Sequence, residues 1–257
     1  MRDIERLAKK AGEIILTASD IEITEKSGRR DLVTSKDIEI QNMLTDELSK
    51  LYPGCSFLCE ETDSKNACDI SKGICFIIDP IDGTANFVHG NRHSCTSIAM
   101  TKDGETLIGV VYDPYRDELF SAEKGKGAFL NGKKLPSFDS SIDSVISVFG
   151  TAPYDDSTNR PTFDLALLLY EMSADVRRTG SAALDLCWTA AGRFGIYAEL
   201  SLSAWDFAAG KLIAEETGCI VTDIDGNPLS FDGKPTILCG RKTAYEEFIE
   251  RYRKERL

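Results

Sequence analysis

Residues 74–78, Ile-Cys-Phe-Ile-Ile, run without a polar break and are closed by Asp79-Pro80-Ile81-Asp82-Gly83-Thr84. A continuous apolar run of this length suits a strand buried on both faces, and such a strand needs further elements on each side of its sheet. The acids therefore stand where the strand leaves the core. Pro80 brings no N–H to a ladder, Gly83 permits unusual backbone angles, and Thr84 sets a hydroxyl beside the free amides of any helix starting there. That combination could cradle a cation and a phosphate, although Asp, Pro and Gly also form ordinary turns.

The pattern around this strand is mixed. Ile4, Leu7, Ala8, Ala11, Ile14, Ile15 and Ala18 keep helical spacing, and a second helix follows Thr34 or Ser35 with Ile40, Met43, Leu44, Leu48 and Leu51 on one face. Residues 55–59 read as a strand ending at Glu60 and Glu61. Residues 95–135 hold strand-like segments parted by Asp103-Gly104 and Asn131-Gly132, the signature of an antiparallel meander. After a strand near residue 147, helices starting at Pro161, Ser181, Asp206 and Thr243 alternate with strands near 176, 197 and 221. The spacing predicts an α/β (α+β) chain whose two mixed sheets are layered between helices. At 257 residues it can form a single domain of two closely joined halves, about 1–140 and 141–257.

Composition narrows the partners. Forty-two acids against 30 basic residues give a formal charge of -12, and with no Lys/Arg stripe this argues against nucleic acid and admits cations. The eight cysteines, at 55, 59, 68, 75, 95, 187, 219 and 239, form no C-x-x-C and fall largely in apolar runs, as reduced core thiols of a cytosolic protein do. The N-terminus lacks a signal-peptide core, and no apolar stretch approaches the roughly 18 residues of a membrane span. A soluble, cytoplasmic protein is expected, with no membrane partner.

Four acids share one local setting: Glu60, Asp79, Asp82 and Asp206 each stand where an apolar element ends or begins, and Asp37 opens the second helix. Strand ends and helix starts gather on one edge of α/β sheets. Carboxylates brought together must raise their pKa values or bind cations, and an all-oxygen set suits Mg²⁺ better than Zn²⁺. Each acid also has a plainer reading: Asp37 as a first-turn acid, Asp206 as an N-cap, Glu60 as part of a solvated loop. His89 and His93 lack the further ligands of a zinc site, Asp223–Asn227 reads as a hairpin turn rather than a calcium loop, and Trp188 and Trp205 read as core.

Seven segments together carry a resemblance: DLVTSKD at 31–37, Glu60-Glu61, DPIDGTANFVHG at 79–90, GVVYDP at 109–114, KGKGAFLNGKKL at 124–135, RRTGSAALDLC at 177–187 and ELSLSAWDFAAG at 199–210. In this order they resemble the inositol monophosphatase family, within the lithium-sensitive, Mg²⁺-dependent phosphatases that also include fructose-1,6-bisphosphatases and nucleotide 3′-phosphatases. The resemblance implies a layered α-β-α-β-α sandwich, a homodimer, and two or three Mg²⁺ ions per site. Glu60, Asp79 and the Ile81 carbonyl would hold a first ion, Asp79, Asp82 and Asp206 a second, and a third would lie near Glu60 and Asp37. The Gly83 and Thr84 amides would hold phosphate oxygens and Gly180, Ser181, Ala182 and Glu199 would face the alcohol; Ile81, Asp82 and Asp206 would also contact the substrate, as would Lys26, near the metals. Glu60, Thr84 and Asp37 would be catalytic, a metal-activated water giving up its proton near Glu60 and through Thr84 to Asp37.

The substrate implied is a small phosphorylated polyol or sugar, foremost a myo-inositol monophosphate. Fructose-1,6-bisphosphatase, histidinol-phosphatase and nucleotide 3′-phosphatase activities share the same chemistry. Ser203 and Ala204 make the wall small, and Glu199 suits hydroxyls better than a second phosphate, which Arg177 or Arg178 could instead receive. Some bacterial relatives also act in RNA-polymerase and ribosome-assembly complexes; the presence of Asp37, Glu60, Asp79, Asp82, Thr84 and Asp206 favours catalysis over a purely non-catalytic role.

Overall fold

The computed structural model describes residues 1–19, 21–28, 31–62 and 69–255, those at 26–28 and 31 by backbone alone. The first part of the chain builds α1 (Arg2–Leu16), the hairpin β1 (Ile23–Gly28) and β2 (Asp31–Thr34), α2 (Ser35–Leu51), β3 (Ser56–Cys59), β4 (Ile74–Asp82) and the short α3 (Thr84–Val88). The meander follows as β5 (Cys95–Lys102), β6 (Glu105–Asp113), β7 (Glu118–Glu123), β8 (Gly127–Leu130) and β9 (Lys133–Lys134). These make a sheet in the order β3-β4-β5-β6-β7-β8-β9, antiparallel except where β3 lies parallel to β4. Asp103-Gly104 and Asn131-Gly132 take the positive φ values that two-residue hairpin turns require.

The second sheet comes from β10 (Ile146–Phe149), β11 (Asp175–Arg177), β12 (Ile196–Glu199), β13 (Ile220–Thr222) and β14 (Ile237–Gly240), ordered β11-β10-β12-β14-β13. Its helices are α4 (Asn159–Met172), α5 (Ala182–Ala190), α6 (Ala204–Glu215) and α7 (Lys242–Glu255).

Three apolar cores fix the layering. Ile4, Leu7, Ile40 and Leu44 of α1 and α2 pack on Phe76, Ile78 and Val110 of the first sheet. On its other face Ile77, Val111 and Phe120 meet Leu184, Leu186, Phe207 and Ile213 of α5 and α6, which also cover Val148, Tyr197 and Cys239 of the second sheet. Leu165 and Leu169 of α4 and Phe248 of α7 close the outer face over Ile196, Ala198 and Leu238. The order is helix, sheet, helix, sheet, helix. The strand at 74–78 indeed serves two cores, Phe76 and Ile78 pointing to one and Ile77 to the other, as a period of two demands.

Several boundaries differ from the sequence expectation. β4 runs through Pro80 to Asp82, with a register shift against β5 between Asp79 and Asp82 that absorbs the prolyl nitrogen's missing N–H. The β1–β2 hairpin and β14 carry no apolar run long enough to announce them. Trp205 is half-buried on a cavity rather than enclosed in the core, while half-buried Trp188 packs against His93 and Phe194. Cys68 lies outside the described residues; the other seven cysteines are free thiols, all buried except Cys55.

Candidate active site

A cavity of about 420 Å³ opens where β4, α3, α5 and α6 meet the loops after β10, β11 and β13. Glu60, directly after β3, Asp79 and Asp82, at the bulged end of β4, and Asp206, in the first turn of α6, all line it. Oxygens of Asp79, Asp82 and Asp206 lie within 4.8 Å of one another, and the Glu60 carboxyl bonds to that of Asp79.

Two of the acids, Asp82 and Asp206, are each held by one oxygen. Asp82 Oδ2 accepts the Ser181 hydroxyl at 2.5 Å, the Ala183 amide at 2.8 Å and the Cys95 thiol at 3.6 Å. Ala183 is the second residue of α5, so an acid from the first sheet caps this helix while Ser181, at the N-cap, makes no side-chain cap bond of its own. Asp206 Oδ2 likewise accepts the Ser203 amide at 2.7 Å, reaching back over the start of α6. Asp206 is thus the third residue of that helix and not its N-cap. Asp79 Oδ1 is buried without a hydrogen-bond partner.

These constraints crowd negative charge. Burial first, then the Glu60, Asp82 and Asp206 carboxylates, pushes Asp79 well above the usual carboxylate range. Burial, Glu60 and Asp82 do the same to Asp206. Burial also raises Asp82, to about 6, against the lowering effect of the Ser181 and Ala183 donors. An all-oxygen donor set with an unsatisfied buried oxygen and mutually repelling acids fits a hard divalent cation such as Mg²⁺.

Beside the acids, Gly83 takes φ 88°, and a Cβ there would meet the Gly180 carbonyl at 3.0 Å and the His93 carbonyl at 3.1 Å. Asn86, unremarked in the sequence, fixes this approach by donating to the His93 and Thr179 carbonyls at 2.8 and 2.9 Å. Thr84 starts α3, and its hydroxyl donates to the Ile81 carbonyl at 3.0 Å rather than to Asp37. Asp37 is fully buried away from the cavity lining, where its Oδ2 accepts the Thr34 amide at 2.7 Å and hydroxyl at 2.5 Å as part of the α2 capping box. Lys26 belongs to β1 by its backbone, and its side chain is outside the described residues.

Ile81, Gly83, Thr84, Gly180, Ser181, Ala182 and Glu199 all line the cavity. Glu199 is pushed up to about 7, mainly by burial, while the Tyr197 hydroxyl donating to its Oε2 at 2.7 Å opposes the rise. Its room comes from Gly150, where a Cβ would overlap Oε2. Asp185 also lines the cavity, 1% exposed, held by the Thr179 hydroxyl at 2.6 Å and raised well above its ordinary range by burial. Sequence reasoning missed it, although its place one turn beyond Ser181 would have put it on the same helix face. Of the two arginines, Arg178 lines the cavity, whereas Arg177 is ion-paired with Asp175.

Comparison with protein families matches residues 2–257 to the inositol monophosphatase family. The chain belongs to that family. It is 40% identical over 227 residues, 86% of this chain and 84% of the relative, to Nus factor SuhB of Escherichia coli K12. Its fold superposes on the extragenic suppressor protein suhB of Bartonella henselae with a TM-score of 0.90, at 32% identity over 97% of this chain and 96% of the other. Inositol monophosphatase II of Staphylococcus aureus, solved with inositol monophosphate bound, gives 0.82 at 29% identity over 97% and 91%. Family membership and the acidic cluster together support a Mg²⁺-dependent phosphatase acting on small phosphorylated substrates.

Proposed function

We propose that the protein dephosphorylates myo-inositol monophosphates, inositol 1-phosphate foremost, to myo-inositol and phosphate. The observation that carries this reading is one cavity holding both the Asp79–Asp82–Asp206 cluster and the buried Glu199 carboxyl. Two or three Mg²⁺ ions held by Glu60, Asp79, the Ile81 carbonyl, Asp82 and Asp206 would supply water activation, charge neutralisation and stabilisation of the leaving alkoxide. The rest falls to side chains and backbone. The Gly83 and Thr84 amides orient phosphate oxygens, Ser181 and Ala183 keep Asp82 turned, and Glu60 takes a proton from the attacking water. A Thr84–Asp37 relay requires the Thr84 hydroxyl to leave the Ile81 carbonyl. Glu199 accepts hydrogen bonds from the polyol, aided by the small walls at Ala182 and Ser203.

A phosphate-release screen of the purified protein with Mg²⁺ tests this, using inositol 1-phosphate, fructose 1,6-bisphosphate, histidinol phosphate and adenosine 3′,5′-bisphosphate. Preference for inositol 1-phosphate supports the reading; preference for another ester replaces the substrate while keeping the chemistry. Lithium inhibition belongs to the same proposal, because Li⁺ is close to Mg²⁺ in size with half its charge. A second reading, a non-catalytic role in RNA-polymerase complexes, draws on the name Nus factor carried by relatives such as the one from Escherichia coli. Co-purification with RNA polymerase, undiminished in a catalytically dead variant, would establish that role. No described helix is long and apolar enough to cross a membrane, and the proposal places the protein in the cytoplasm as a homodimer.

A further inference from the structure

Cys219 and Cys239 come together in the core away from the cavity, which neither of them lines. β13 and β14 run antiparallel with Val221 opposite Cys239, and Cys219 precedes Val221 by two positions, on the same face by the alternation of a strand. Cys219, Val221 and Cys239 accordingly pack into one apolar cluster. The two thiols are hydrogen-bond partners of each other.

The surroundings of the pair suit a thiolate. Arg241, directly after β14, is 2% exposed, and its guanidinium donates to the Thr217 carbonyl and, at 2.8 Å, to the Ala190 carbonyl, while lying 4.0 Å from the centre of the Phe138 ring. Those partners are neutral, and its Nε is buried without a hydrogen-bond partner. Its charge acts on Asp139, an exposed carboxylate already engaged by Thr243, and on the two thiols. The hydrogen bond with Cys239, helped by Arg241, holds the Cys219 thiol below its ordinary range against the opposing effect of burial. Cys239 is raised, as the donor of that bond and by burial. One sulfur is thus suited to attack and the other to keep its proton. Access comes from the side of the sheet, because β13 is an edge strand of three residues paired with β14 alone and opens at low cost.

We propose that Cys219 and Cys239 are a redox modification site, a dithiol that hydrogen peroxide converts to an intramolecular disulfide between the start of β13 and β14. The Cys219 thiolate attacks one peroxide oxygen, the O–O bond breaks, and the departing hydroxide takes up a proton to leave as water. The sulfenic acid left on Cys219 is then attacked by the Cys239 sulfur: the S–S bond forms as the S–O bond breaks, and the hydroxide released leaves with the Cys239 proton as a second water. The two thiols give up two electrons, and one peroxide is reduced to two waters. The bridge closes the base of the loop between β13 and β14. That loop carries Pro235, whose carbonyl accepts the Leu202 amide at 3.1 Å, and Leu202 and Lys234 line the cavity. Oxidation thereby fastens one wall of the cavity from behind while leaving the acidic cluster untouched.

The test treats the reduced protein with hydrogen peroxide, unfolds it in iodoacetamide to block the remaining thiols, and maps its peptides without reductant. Wild type should lose the mass of two hydrogens, yield a linked peptide pair joining Cys219 to Cys239, and melt roughly 5–10 °C higher before unfolding, all reversed by dithiothreitol. Cys239→Ser keeps a hydroxyl to donate to Cys219 but has no second sulfur there, so its oxidation should stop at a Cys219 sulfenic acid that dimedone traps. Cys219→Ser should form neither the bridge nor a trapped product at Cys239. Wild type whose Cys219 and Cys239 are both alkylated after peroxide, or whose bridge joins other cysteines, would overturn the proposal however the variants behave.

Discussion

The Ser181 hydroxyl donates to Asp82 Oδ2 at 2.5 Å across 99 residues of sequence. Through this bond the helix between the two sheets fixes an acid that belongs to the first sheet. Because Oδ2 is also taken by the Ala183 amide, the orientation of a carboxyl that lines the cavity is fixed. Ser181→Ala should therefore raise the Mg²⁺ concentration for half-maximal activity by roughly tenfold, the effect expected when a ligand loses an outer hydrogen bond. The cost in folding stability should be only about 1 kcal/mol. Ser181→Thr, which keeps the hydroxyl, should restore the Mg²⁺ response; a titration unchanged in Ser181→Ala would refute the role.

Gly150 and Glu199 make a second such pair. A methyl at Gly150 would overlap Oε2, so Gly150→Ala must turn Glu199 out of place without touching the acidic cluster. Both Gly150→Ala and Glu199→Ala should lower kcat/KM for inositol 1-phosphate by about 1–3 kcal/mol, while a simple aryl phosphate, which has no ring hydroxyls to offer, should suffer much less. Equal losses on the two substrates would show instead that Glu199 supports the fold or the cations.

His93 gives a pH prediction away from the acids. It is buried with Nε2 unpartnered, its ring edge-on to Trp188, and burial, with Arg116 nearby, holds it down to about 4. The folded state therefore resists a proton that the unfolded chain takes up near pH 6.5. Its contribution is fully present above that value and is lost as pH falls toward 4, by up to about 3 kcal/mol. Urea denaturation at pH 7 and pH 5 should show wild type losing stability on acidification, and His93→Gln losing distinctly less. Parallel losses would assign the acid sensitivity elsewhere.

How legible the molecule was depends on how local each signal is. Apolar runs and Asn-Gly or Asp-Gly turns act within a few residues, so β4, the meander and the main helices could be read directly. The β1–β2 hairpin and β14 are short strands whose stability comes from pairing partners far along the chain, which no local window reveals. The acids presented a false choice. Asp82 and Asp206 each tie down the start of a helix with one oxygen and also line the cavity, so a structural role and a place at the cavity do not exclude one another. Tertiary approach was invisible for Lys234, carried in by a loop to the Tyr154 ring, and for Thr84, whose hydroxyl turns to Ile81.

Asp79 concentrates the electrostatic cost of the site, since it is buried with one unpartnered oxygen and faces Glu60, Asp82 and Asp206. Without a divalent cation these acids oppose folding; with one they should favour it. In a chelator, Asp79→Asn should therefore melt at a higher temperature than wild type, because it removes a charge from the cluster while keeping its shape. Adding Mg²⁺ at about 100 times its dissociation constant should stabilise wild type by about 2.7 kcal/mol, or roughly 5–10 °C for a chain of this size, and stabilise the variant far less. Activity should follow the opposite order: wild type should be silenced by the chelator and revived by Mg²⁺, and Asp79→Asn should lose several orders of magnitude in kcat under both conditions. Asp223→Asn, whose carboxylate only ties its own turn to Asp225 and Asn227, should leave both melting in chelator and the Mg²⁺ gain close to wild type. A variant at Asp79 that gained as much from Mg²⁺ as wild type would remove this residue from the cation site.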